Sequence, residues 1–144
     1  MTDHRTEITL LARRLTVDLE AFSHGFALQH DLNAVDVRAL VLIMDAERKG
    51  VAMRPAGLSR QLGLTTASVT ALLDRLERHG HIQRQRHPTD RRGITIVPDP
   101  SMLEVGGAYF GGLQQRMMTA LAAFSDDEVM AARRILEALI TIIN

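Results

Sequence analysis

The chain has 144 residues and a mass of 16.0 kDa, enough for one compact domain with appended helices and too few for two domains of ordinary size. Its 46% hydrophobic and 24% charged residues exclude disordered and collagen-like chains, and the absence of cysteine excludes disulfides, thiolate metal sites and thiol redox switches. Net charge is zero and no stretch reaches the roughly 18 apolar residues of a membrane span, so a cytoplasmic protein without a membrane partner is expected.

Ile8, Leu11, Leu15, Leu19, Phe22 and Phe26 recur every three or four residues, which predicts a first helix from about Thr6 to His30. Asn33, with Asp36 three residues on, offers a capping box for a second helix that stops near Lys49-Gly50. Val51 and Met53 alternate as a small strand would, and Pro55 suits the first position of a two-turn helix, AGLSRQLG. Gly63-Leu64-Thr65 supplies a turn and a hydroxyl cap for a fourth helix from about Thr66 to His79, with Val69, Leu72, Leu73 and Leu76 on its inner face. Two helices joined this way make a helix-turn-helix unit. The period then changes to two: HIQRQRH and GITIV flank the turn-rich PTDRRG, which predicts a hairpin with arginines on its arms and tip.

Asp99-Pro100 restarts a helix that is expected to run to about Ala123, with four glycines in GGAYFGG that need some compensation. Ser125-Asp126-Asp127-Glu128 is a capping box for the last helix, whose Val129, Leu136, Ile140 and Ile143 share one side. Ile8, Leu11, Leu15, Leu136, Leu139, Ile140 and Ile143 exceed what one small globule can cover, so a two-fold homodimer through both terminal segments is expected. The fold class is therefore mainly α with a small β-wing: a winged helix-turn-helix over residues 33–98, with dimerisation helices in 1–32 and 99–144 of a single unit.

Charge separates along the same lines. Between Met53 and Gly93 lie eight bases and three acids, a net +5, whereas the flanking segments carry −2 and −3. A basic middle between acidic flanks is the electrostatic footprint of a polyanion partner once it coincides with a winged helix.

The run GLSRQLGLTTASVTALLDRLERHGHIQRQRHPTDRRGITIVPD resembles the MarR (multiple antibiotic resistance regulator) family, above all in DRR some sixteen residues after LDRLE. The resemblance implies a homodimer on pseudo-palindromic double-stranded DNA, usually a repressor, often released by a small-molecule effector. Ala71 stands where relatives often carry a longer polar side chain, and Pro98-Asp99 replaces the family's usual Leu-Thr. The residues expected at the DNA are Thr65, Thr66, Ser68, Thr70, Ala71 and Arg75 on the fourth helix, and Arg84, Arg86, Asp90, Arg91 and Arg92 on the wing. Arg91 is expected in the minor groove with Asp90 orienting it, while Arg84, Arg86 and Arg92 act as phosphate contacts or braces. Family effectors sit between the first, second and fifth helices, where Phe22, Phe26, His30, Arg38 and Tyr109 would suit a phenolic or carboxylate ligand.

No cofactor or metal is expected, because the histidines lack ligand spacing; His24 and His30, six apart, share no helical face well. An enzyme is not expected either, since no phosphate loop or nucleophile arrangement occurs. The alternative from a different class is a winged helix that binds another protein and never DNA; it would want a wing without concentrated charge.

Overall fold

The computed structural model describes residues 3–87, 89–90 and 93–143. Eight elements follow one another: α1 (His4–Gln29), α2 (Ala34–Lys49), α3 (Pro55–Leu62), α4 (Thr66–Arg78), β1 (Ile82–Arg86), β2 (Ile94–Pro98), α5 (Pro100–Leu121) and α6 (Asp126–Ile143). The chain divides into two compact units, Met1–Glu104 and Val105–Asn144, with α5 beginning in the first and continuing in the second.

In the first unit the helix ends are set by local capping. Asp3 accepts the Arg5 N–H at 3.1 Å and starts α1 two residues before the expected Thr6. Asn33 and Asp36 exchange side chain-to-backbone hydrogen bonds at 2.8 and 3.2 Å, the expected capping box of α2. Pro55 occupies the first turn of α3, where its missing N–H costs nothing.

The core of this unit is aliphatic, as the scarcity of aromatics requires. Ile43, Leu58 and Leu76 are fully buried, and Phe26, Leu40, Leu73 and Ile82 nearly so; each stabilises the fold by about 1.5–3 kcal/mol relative to an exposed side chain. β1 and β2 form an antiparallel pair in the register Ile82 to Pro98 and Arg86 to Ile94. Met53 adds an isolated bridge to Ile96, whose N–H donates to the Met53 carbonyl at 2.8 Å. The short alternation at Val51–Met53 thus becomes one bridging residue, because Pro55 cannot donate to a ladder and turns the chain into α3.

In the second unit α5 runs unbroken through Gly106, Gly107, Gly111 and Gly112 and ends at Leu121, two residues before the expected Ala123. A methyl group added at Gly107, Gly111 or Gly112 would meet nothing within 4 Å, so those three glycines do not serve close packing among the described residues. Ser125 and Glu128 form the expected capping box, with hydrogen bonds of 2.8 and 3.3 Å in its two backbone arms. No residue of α6 is buried: Leu136, Ile140 and Ile143 are exposed and Leu139 half-buried.

Candidate nucleic-acid interface

The helix-turn-helix is built by short-range hydrogen bonds. Gly63 ends α3 in the left-handed region at φ 65°, which a side chain would strain, and the Leu64 N–H returns to the Ser59 carbonyl at 3.0 Å. The Thr65 hydroxyl oxygen accepts the Ser68 N–H at 3.2 Å and starts α4.

Along α4, Val69, Leu72, Leu73 and Leu76 are buried, while Thr65, Thr66, Ser68, Thr70 and Ala71 are exposed together on the opposite side. Two of their hydroxyls already donate locally, Thr65 to the Ser68 hydroxyl oxygen at 2.9 Å and Thr70 to the Thr66 carbonyl at 3.0 Å. That face therefore presents hydroxyl oxygens, small methyls and the positive end of a 13-residue helix.

The arginines divide into two sets. Arg75, expected at the DNA, turns inward: its Nη2 lies 2.5 Å from the Asp36 carboxylate, which is buried, and its Nε is buried without a hydrogen-bond partner among the described residues. Asp36 thus serves two partners, the α2 cap and the α4 arginine, and fixes α4 against α2. Arg84 is engaged within the fold. Its guanidinium pairs with Asp74 at 2.6 Å and Glu77 at 3.3 Å, and its backbone N–H donates to Glu77 at 3.2 Å, which ties β1 to α4.

Arg86 is exposed, with no ion pair among the described residues, and so are Arg60 and Arg78. Arg60 and Arg78 belong to the basic segment, and their exposure on α3 and α4 is the signal that identifies them. Asp90 lies 3.6 Å from Arg54, a residue the sequence reading also passed over. Arg91 and Arg92, the expected minor-groove residue and its neighbour, lie outside the described residues, as does the orientation of Arg91 by Asp90.

His79 and His81 meet edge to face, ring centroids 6.1 Å apart, where α4 gives way to β1. The His81 pKa is lowered first by burial, then by His79 and His30, with Asp36 and Asp99 acting in the opposite direction.

Of the five residues expected to line an effector pocket, Phe22, Phe26, His30 and Arg38 lie in the first unit and Tyr109 in the second. Phe26 is core, stacked at 4.4 Å on the His30 ring, and Phe22 is half-buried. Tyr109 belongs to the second unit, its ring against Phe110 at 5.2 Å. Arg38 borders an open groove of about 870 Å³ between α1, α2 and α3, whose wall includes Val17, Val37, Val41 and Leu62. Periodicity places a residue on a helix but cannot say which neighbour that side faces. Among the described residues no group of three His, Asp or Glu is placed to hold a metal, and no helix is long and apolar enough to cross a membrane.

The family comparison falls on the same segment. The MarR family profile matches residues 32–94. An uncharacterized HTH-type transcriptional regulator of Bacillus subtilis, YcgE, is 35% identical over 77 residues, 54% of this chain and 50% of that protein. The B. subtilis HTH-type transcriptional repressor YetL is 37% identical over 94 residues, 63% of this chain and 53% of that protein. The chain thus spans about half the length of the curated relatives it matches. S. aureus MepR, crystallised in its DNA-binding conformation, superposes with a TM-score of 0.73 at 18% identity, over 95% of this chain and 98% of that one. The MarR family profile thus covers the helix-turn-helix and wing, and the chain shares its fold with MepR.

Proposed function

We propose that this protein is a transcriptional regulator, in the sense of a repressor, that binds double-stranded DNA as a two-fold dimer. The observation that carries the reading is α4: its apolar side is wholly buried, while its hydroxyl-bearing residues are exposed, with Arg78, unpaired among the described residues, at one end and Arg86 on the adjoining strand. A helix with this division fits a major groove, its hydroxyls and methyls reaching base edges and its arginines phosphates. MepR in a DNA-binding conformation and the repressor YetL support the same direction. The exposed apolar residues of α1 and α6, Leu11 at 67% and Ile143 at 84% among them, support a second copy as their cover.

The test is binding to the DNA upstream of the protein's own gene and to random duplex of equal length. With about six phosphates neutralised by a dimer, log K should fall against log salt with a slope of about −5, a loss of about a thousandfold between 50 and 200 mM. Upstream DNA should outcompete random DNA. Weak binding, equal on all sequences and flat in salt, would instead favour a protein-binding winged helix.

The effector reading moves to the α1–α2–α3 groove. Arg38 is exposed beside Val37 and Val41, an arrangement suited to an apolar molecule bearing a carboxylate. Benzoate as a probe should release DNA from the protein and lose that effect in Arg38→Ala; release that is unchanged in Arg38→Ala would remove the groove from the reading.

A further inference from the structure

Arg54 stands in front of Pro55, and a residue before proline is held extended; here φ is −110° and ψ 155°. It occupies the N-cap of α3 yet makes no capping hydrogen bond, because arginine has no acceptor to offer. Its side chain is therefore available for another purpose, and it lies against the base of the wing turn. Nη1 is 3.6 Å from the Asp90 carboxylate. A Cβ on Gly93 would fall 3.2 Å from Nη2 and 3.3 Å from Cζ, and 3.0 Å from the Cβ of His87. Gly93 is buried, and a side chain there would crowd the guanidinium and the Cβ of His87 unless they gave way by a few tenths of an ångström.

The surrounding backbone is closed around this contact. The His87 N–H donates to the Gly93 carbonyl at 2.8 Å, and the Gly93 N–H to the Asp90 carbonyl at 3.0 Å. The Nδ1 of His87 accepts the N–H groups of Thr89 and Asp90, each at 3.3 Å. One residue before Arg54, Met53 is bridged to Ile96 on β2. Residues 53 and 54 thus hold the wing twice, once through the backbone at its middle and once through the guanidinium at its turn.

We propose that Arg54 is a positioning residue that fixes the wing turn relative to the helix-turn-helix, so that the wing and α4 meet DNA in one register. The inference rests on the DNA-binding reading above. Both partners of the Arg54–Asp90 pair are nearly half exposed, and such a pair contributes little to folding. What it restricts is the angle of a two-stranded wing relative to the start of α3. A flat guanidinium laid on a glycine is also something a lysine ammonium cannot reproduce.

The experiment compares Arg54→Ala and Arg54→Lys with the full chain. Since Arg54 makes no cap bond, both variants should keep the thermal midpoint of the parent within about 2 °C, small beside the 2–4 °C expected for each kcal/mol in a chain of this size. Hydrogen exchange of the amides at 89, 90, 93 and 94 should accelerate in both variants. Affinity for the preferred duplex should fall about tenfold in both, with the slope of log K against log salt unchanged and random-duplex affinity unaltered. Full rescue by lysine together with a slope smaller by about one in the alanine variant would make Arg54 a phosphate contact and overturn the proposal. Unchanged exchange in the wing would overturn it whatever the DNA does. Accelerated exchange in a protein whose parent binds no duplex would uphold the brace and refute the DNA-binding reading.

Discussion

Arg75 is the residue where the sequence pattern and the tertiary structure disagree most usefully, and its replacement tests the reason. Its guanidinium is the partner of Asp36, whose side chain is 5% exposed, at 2.5 Å; Arg75 itself is 36% exposed. Arg75→Met keeps volume but leaves a buried carboxylate with the Asn33 N–H at 3.2 Å as its remaining hydrogen-bond donor. Breaking a fully buried pair costs about 3–5 kcal/mol; water reaching the arginine side lowers this to about 2–3. For a chain of this size that corresponds to a thermal midpoint lower by about 4–12 °C. Asp36→Asn removes the charge and keeps an oxygen for the cap, so about 1–2 kcal/mol is expected. The double variant should cost less than the two together, with a coupling of about 1–2 kcal/mol, since the methionine no longer strands a charge. Urea unfolding at one fixed protein concentration measures all three, the concentration being held because dimer stability depends on it. An unchanged unfolding midpoint in Arg75→Met, with weaker DNA binding and a salt slope smaller by about one, would show that Arg75 faces the DNA and that the inward pair is not its role.

Acidification should act through His81, whose pKa lies below its ordinary value of 6.5, first because of burial and then because of His79 and His30. The unfolded chain takes up this proton first, so stability is full above about 6.5 and is lost as pH falls from there toward the lowered pKa; His81→Gln should flatten that part of the profile in denaturant titrations. Gly111→Ala should raise the thermal midpoint by the helix propensity gained, about 1 kcal/mol, because nothing lies within 4 Å of the added methyl; a loss accompanied by dissociation would assign that space to a second copy. Ile140→Asp with Ile143→Asp should give a monomer by light scattering with far weaker operator binding, as both side chains are exposed in the single chain, at 56% and 84%; a variant that remains dimeric would move the interface elsewhere.

Much of this molecule is legible along the chain because the forces that make its elements act over three or four residues. The capping boxes at Asn33–Asp36 and Ser125–Glu128, the hydroxyl cap at Thr65 and the left-handed Gly63 are all local, and each was found where the pattern put it. So were the buried face of α4 and the two wing strands, since periods of 3.6 and 2 mark which side is apolar. Periodicity does not tell where a long charged side chain goes. Arg75 and Arg84 look like Arg78 and Arg86 in the sequence, yet the first pair is consumed by Asp36, Asp74 and Glu77 and the second remains available. Arg54 could not be singled out at all, because Asp90 and Gly93 reach it only after the hairpin folds back onto the start of α3. Local pattern sets the elements, their order and their apolar faces; long-range packing selects which arginines are paired within the fold. The physical reason is that an ion pair between residues 39 positions apart, such as Arg75 and Asp36, exists only once the chain has brought them together.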